Sequence, residues 1–169
     1  MLSFDIRALE SKAAQVDEDL GADDPVWQEG DPRPDGPVQV TGRLSAAGTD
    51  RFYFSGHLEG VAQDACPRCL TEVRAGVSTE VQFIFAAADD EAAAEDPDVV
   101  LLAEHAHEVD LRPAIREEWV LAVPSFVLCR DDCKGLCPTC GTDLNSETCT
   151  CATVTDSRWA ALRQTRGGS

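Results

Sequence analysis

Basic residues are scarce in this 169-residue chain. It carries 14 Lys and Arg against 31 Asp and Glu, a formal net charge of −17 and a sequence pI near 4.3. Such a surface repels a phosphate backbone, so a nucleic-acid contact has to be local or to arrive through another protein. The shortage is uneven. From residue 129 onward five Lys or Arg match five Asp or Glu, so the first 128 residues hold the whole excess, 26 acids against nine bases. Aromatic residues are only 6% of the chain, and a core must be filled mainly by Val, Leu, Ala and a few Phe, for which the 43% hydrophobic content suffices. Long apolar runs are missing as well. The longest, Trp119 to Leu128, contains Pro124 and is far too short to span a bilayer. The start, Met1-Leu2-Ser3-Phe4-Asp5, has neither the basic nor the apolar region of a secretory signal, which predicts a cytoplasmic protein with no membrane partner. G-x-S-x-G, the Walker loop, G-x-G-x-x-G and H-E-x-x-H are all lacking, so the expectation is no enzyme and no small-molecule substrate.

Three runs alternate with period two, the signature of strands with one buried face. Val38, Val40 and Leu44 form the first, Phe52, Phe54 and Leu58 the second, and Val73, Val77, Val81, Phe83 and Phe85 the third. One run of about 15 residues within a stretch of about 50 suggests a coiled or barrel-like antiparallel sheet. A helix is expected from an Asp110 N-cap to about Ala122, with Pro113 in its first turn, Pro124 at its end and Leu111, Ile115, Trp119 and Ala122 as the buried stripe. Residues 1–10 alternate weakly and suggest a short edge strand. Asp17 to Asp35, with eight acids and three prolines, reads as a loop or disordered arm, and residues 86–98 as a second acidic loop. Val99 to Ala103 suggests a brief return to the sheet, and a last short helix is expected from Asp156, with Trp159 and Leu162 as its apolar side. The expected class is therefore α+β, in three parts. Residues 1–36 are an N-terminal strand and acidic arm, 37–128 an antiparallel sheet plus helix, and 129–169 a zinc-ribbon-like Cys-rich module with a C-terminal helix. No internal repeat stands out.

Cysteine, by contrast, is plentiful. Eight cysteines in a reducing compartment favour metal ligation over disulfides, and their spacing predicts zinc. In Cys137-Pro138-Thr139-Cys140-Gly141 two thiolates bracket a tight turn whose amides can donate to the first sulfur, and Gly141 supplies the positive φ that ends it. Cys149 and Cys151 are two apart, so in an extended segment they point to one side and complete a four-thiolate site. Cys66 and Cys69, at a hairpin tip, and Cys129 and Cys133, after the helix, suffice for a second such site. A different pairing, Cys129, Cys133, Cys137 and Cys140 on one ion, is also open, as are an iron–sulfur cluster and a redox dithiol at Cys66 and Cys69. His57, His105 and His107 lack spaced partners and read as surface or strand-edge residues. Arg130, Lys134, Arg158, Arg163 and Arg166 are the one basic cluster available for RNA contact.

In order along the chain come C-x-R-C-L (Cys66 to Leu70), V-D-L before a helix with Glu117 and closing Pro124, then C-x3-C-K-G-L-C-P-x-C-G-x-D-L-N (Cys129 to Asn145), C-x-C at 149–151, and D-x-R-W-x-x-L (Asp156 to Leu162). Over roughly residues 37–163 this order resembles the YceD family, the large ribosomal RNA subunit accumulation proteins. Ser157 departs from it, standing where the family often has Pro. The resemblance implies a non-enzymatic role in ribosome assembly, with large-subunit rRNA precursor or basic ribosomal proteins as partners. The family is often encoded beside a small zinc-ribbon ribosomal protein, and no catalytic residues are established for it. Relatives that lack the CPxCG ribbon keep the first knuckle and a later His/Cys pair, which implies that Cys66 and Cys69 pair with Cys129 and Cys133.

Overall fold

The computed structural model describes residues 1–90, 93 and 95–152. Strand β1 (Ser3–Asp5) leads into helix α1 (Ile6–Ser11). Strands β2 (Ala14–Leu20), β3 (Val38–Ala46), β4 (Arg51–Ala65), β5 (Glu72–Ala86), β6 (Val99–Leu101) and β7 (Glu108–Asp110) follow, then helix α2 (Arg112–Ala122). Strands β2 to β5 pair antiparallel in chain order, β6 adds parallel to β5, and β1 pairs with β7 in a separate ribbon. The architecture is α+β, as the patterning implied.

The three alternating runs lie in β3, β4 and β5. Val38, Val40, Leu44, Phe54, Leu58 and Phe85 are fully buried, while Gln39, Arg43, Ser78 and Gln82 on the other face stay exposed. Strands β4 and β5 stay in register from Arg51↔Ala86 to Ala65↔Glu72, so each is 15 residues long. At roughly 3.3 Å per residue the hairpin spans about 50 Å. That length carries its turn, with Cys66 and Cys69, far from the acidic loops at the other end.

The barrel expected from these strands does not close. The sheet is open, with β2 and β6 as its edges. A three-residue β6, parallel to β5, offers too short an edge to meet β2. Helix α2 and residues 21–37 cover the buried face instead. Leu111, Ile115 and Trp119 are fully buried there and Ala122 is half-buried. The helix comes close because β4 has Gly60 beneath it, where a Cβ would stand 2.9 Å from the Trp119 ring. Trp119 meets Trp27 edge to face at 6.1 Å, and its Nε1 donates to the Pro32 carbonyl at 2.9 Å. Arg116 donates to both carboxylate oxygens of Asp31 at 2.7 Å, and this pairing holds Asp31 below the usual carboxylate range.

Three expectations need correction. The Asp17–Asp35 stretch is no disordered arm, because it begins inside β2 and its loop is pinned by Trp27, Asp31 and Pro32. Val16, Leu20 and Trp27 are buried. Three successive exposed acids, Asp17 to Asp19, hide that alternation in the sequence. Residues 1–10 are a strand only over Ser3–Asp5. The Asp5 carboxylate then accepts from the Ala8 amide at 2.9 Å and caps α1, whose Leu9 enters the core. The cap of α2 falls one residue later than expected, at Leu111. Asp110 instead accepts from the Arg112 amide at 3.0 Å and from its guanidinium at 2.7 Å. The helix expected from Asp156, with Trp159 and Leu162, lies outside the described residues. Among those described, no helix is long and apolar enough to cross a membrane.

Candidate metal centres

All eight cysteines fall into two groups of four. Cys66, Cys69, Cys129 and Cys133 form one and Cys137, Cys140, Cys149 and Cys151 the other, with the sulfurs of each group within 4.8 Å of one another. The Cys66–Cys133 sulfurs are 3.8 Å apart, Cys69–Cys129 3.5 Å and Cys137–Cys149 3.3 Å. A disulfide needs about 2.05 Å, and all eight cysteines are free. Four sulfurs bound at about 2.3 Å to one tetrahedral ion stand roughly 3.8 Å apart. Donor type, number and spacing therefore fit a single metal ion in each group.

The first group joins the long hairpin to the chain beyond α2. Cys66 and Cys69 occupy the β4–β5 turn and pack with Cys133, Val73, Val127, Leu128 and Leu136 as a small core of their own. Arg68, in the same turn, donates from its guanidinium to the Cys133 carbonyl at 2.9 Å, and its own carbonyl accepts from the Leu136 amide at 3.0 Å. Gly135 (φ +75°) allows this approach, since a Cβ there would lie 2.9 Å from the Arg68 carbonyl oxygen. The second group is local. Leu136 and Asp143 pair beside it in an isolated antiparallel bridge, and the Thr139 and Cys151 amides point at the sulfurs of Cys137 and Cys149 at 3.5 and 3.4 Å.

The two knuckles are built alike. In Cys66–Thr71 the Cys66 amide donates to the Thr71 carbonyl and the Leu70 amide to the Cys66 carbonyl, both at 2.8 Å. In Cys137–Thr142 the Cys137 amide donates to the Thr142 carbonyl at 2.8 Å and the Gly141 amide to the Cys137 carbonyl at 2.9 Å. Thr71 and Thr142 each bring a hydroxyl to the second sulfur of their knuckle, at 3.3 Å from Cys69 and 3.2 Å from Cys140. Sequence reasoning missed these threonines, although the likeness of the two short segments CPRCLT and CPTCGT was there to signal them. Gly141 has the positive φ expected of it (75°), but Leu70 fills the same place at φ 60°, with its side chain 66% exposed. A left-handed Leu costs roughly 1–2 kcal/mol. The turn is thus imposed by its surroundings rather than chosen by the residue.

Protonation within each group is divided. Burial pushes the Cys66 thiol up, but the backbone amides of Cys129, Arg68 and Cys69 outweigh it and hold it at about 6. The Thr142 hydroxyl and amide bring Cys140 to about 6. Cys129, hydrogen-bonded to Cys69, and Cys151, hydrogen-bonded to Cys140 and Cys149, are pushed up to about 12. Once some thiols in a group ionise, the others keep their protons, because a third or fourth negative charge has nothing to offset it. A divalent cation supplies that offset.

The other candidate residues lie apart from the cysteines. His105 and His107 are exposed on the 102–107 loop, and His57 sits on β4 between Glu80 and Ser78 at 3.1 Å from each. His105 helps line a half-open cavity of about 610 Å³ with Ile6, Phe52 and Leu102, near the opposite end of the hairpin from Cys66. Arg130 and Lys134 are exposed beside the first group. Arg158, Arg163 and Arg166 lie outside the described residues. Cys66 and Cys69 are 0% and 6% exposed, which shields them from the exchange a redox dithiol requires.

The family model described as "Large ribosomal RNA subunit accumulation protein YceD" matches residues 54–165. The chain belongs to the YceD family. The match runs from near the start of β4 through both cysteine groups. Three curated relatives are similar to the chain, one from Mycobacterium bovis and two from Mycobacterium tuberculosis, each described as uncharacterized. Each is 37% identical over 105 residues, covering 60% of this chain and 49% of the relative. The chain thus spans about half the length of these relatives. No solved structure matches.

Proposed function

We propose that this chain is a non-enzymatic cytoplasmic assembly factor that supports accumulation of large-subunit ribosomal RNA, shaped by two structural zinc ions. The observation that carries the reading is the pair of four-thiolate groups on a chain of the YceD family. Four sulfurs complete a tetrahedral sphere and leave no open position for a substrate, as in structural zinc and unlike catalytic zinc. Cys66, Cys69, Cys129 and Cys133 would hold one ion, and Cys137, Cys140, Cys149 and Cys151 the other. Sulfurs spaced for one ion suit zinc better than an iron–sulfur cluster, whose several irons need a wider set. Purified without chelator, the chain should carry close to two zinc per molecule. Elemental analysis returning one ion, or iron with visible absorption, would contradict this.

In this reading the acidic sheet contacts basic ribosomal proteins, and the 129–169 module approaches precursor RNA. Association should weaken steeply with salt, since exposed charges are screened over roughly 8 Å at physiological ionic strength. Neutralising Asp89, Glu95, Asp96 and Asp98 to their amides should weaken capture of basic ribosomal proteins and leave the fold intact, because all four are exposed. Asp90 is to be kept, as it pairs with Arg51 at 2.6 Å. Replacing Arg130, Lys134, Arg158 and Arg163 together should reduce rRNA recovery, each lost phosphate contact lowering the salt slope by about one. The acidic excess also favours a second reading, a zinc-stabilised holdase for a basic ribosomal protein. Undiminished rRNA after the fourfold replacement would favour that one.

A further inference from the structure

We infer that Asn145 couples the two metal centres, so that an ion in the 137–151 group tightens the hold of the 66–133 group on its own. The inference rests on the proposal that both groups bind metal. Asn145 belongs by sequence to the second module, in the turn between Cys140 and Cys149. Its side chain, however, reaches the first. Nδ2 donates to the Cys133 sulfur at 3.5 Å and to Asp143 Oδ1 at 2.7 Å, and Oδ1 accepts from the Lys134 amide at 2.8 Å. The amide orientation follows from this network, because a carboxylate accepts only from the nitrogen and a backbone N–H donates only to the oxygen. The Asn145 amide also donates to Asp143 Oδ1 at 2.9 Å, and the Leu144 amide to the Gly135 carbonyl at 2.9 Å. Asn145 is therefore held by the ribbon and aimed at a sulfur of the other group.

An N–H donated to a metal-bound thiolate disperses its charge and fixes its direction. Removing such outer-sphere partners typically costs 10–100-fold in metal affinity. The donor is placed by the Leu136↔Asp143 bridge, which pairs the residue before Cys137 with one in the stretch between Cys140 and Cys149. An ion drawing Cys137 and Cys140 to Cys149 and Cys151 closes the loop that carries Asn145. An unliganded ribbon leaves that loop free to open, and Cys133 then loses its donor. Coupling of this kind is reciprocal by linkage.

The test is cobalt(II) titration of the metal-free full chain, read by thiolate charge-transfer absorption. Wild type should bind two equivalents. Asn145→Asp keeps the oxygen that accepts from Lys134 but replaces the N–H donor with a carboxylate oxygen, whereas Asn145→Ala removes both. Either change should weaken the 66–133 centre about tenfold. With Cys66→Ser in the background, where only the ribbon centre is complete, Asn145→Asp should change its affinity less than threefold. With Cys149→Ser, the 66–133 centre should already be about tenfold weaker and Asn145→Asp should add nothing. Wild-type affinity of the 66–133 centre in both Asn145 variants, or an equal further loss in the Cys149→Ser background, would overturn the coupling while leaving metal binding intact. A wild type that binds no cobalt would overturn the metal reading and the coupling with it.

Discussion

Cys66→Ser should lower the unfolding temperature of the zinc-loaded chain by about 10 °C or more, and Cys137→Ser by clearly less. Structural zinc contributes on the order of 10 kcal/mol of folding free energy in small modules. In a chain of this size each kcal/mol moves the midpoint by roughly 2–4 °C. What separates the two sites is the loop each one closes. Cys66 and Cys133 are 67 residues apart, and between them lie β5, β6, β7 and α2. Cys137 and Cys149 are 12 apart and enclose only a turn. Closing the longer loop removes more freedom from the unfolded chain. The first group also anchors a buried cluster with Val73, whereas Cys140 and Cys151 of the second are exposed. The ribbon mutant should still lose some stability through Asn145. Thermal unfolding followed by circular dichroism, with equal losses for both variants, would refute the division.

Acid should reach the same end without mutation. Thiols that hold metal as thiolates have their pKa depressed in the folded, loaded state, so their contribution is present at higher pH and lost as pH falls. With Cys129 and Cys151 near 12 in the free thiol groups, loading at neutral pH must expel their protons. Metal affinity therefore falls with every step toward acid. Release into a chelating dye across a pH series should show this sign, and release that grows with rising pH would contradict it.

Trp119→Ala should cost about 3–5 kcal/mol, the range for emptying a large aromatic site. The ring is fully buried, lies on Gly60 and meets Trp27 at 6.1 Å. Its Nε1 is the hydrogen-bond partner of the Pro32 carbonyl, so the cavity also frees the loop that Asp31 and Arg116 help to hold. Gly60 and Trp119 are fitted to one another, and Gly60 brings no side chain that could fill the vacancy. Urea denaturation gives the loss directly, and a value below about 1 kcal/mol would mean that α2 is not the cover of the sheet. Trp119→Phe, which keeps a ring and loses the donor, should fall between the two.

The strands β3, β4 and β5 are legible in the amino-acid order alone, because alternation is a local property and one buried face is enough to impose it. Helix α2 is legible for the same reason, through Leu111, Ile115 and Trp119 at helical spacing. The CPxC knuckles are legible because a tight turn between two thiols needs only five or six adjacent residues. Whether the sheet closes is not local. It depends on the three-residue length and parallel direction of β6, and on a Trp119 that fills the face a barrel would have enclosed. The fate of Asp17 to Asp35 is hidden because Val16, Leu20 and Trp27 are too sparse among acids to show a period, and only the facing core reveals what they bury. Cysteine spacing alone leaves several groupings open, since Cys129 and Cys133 are near Cys137 and Cys140 in the chain. The long β4–β5 hairpin, which carries Cys66 and Cys69 to the segment after α2, brings the eight sulfurs into two sets of four. Distance in space, which no local pattern encodes, makes that choice.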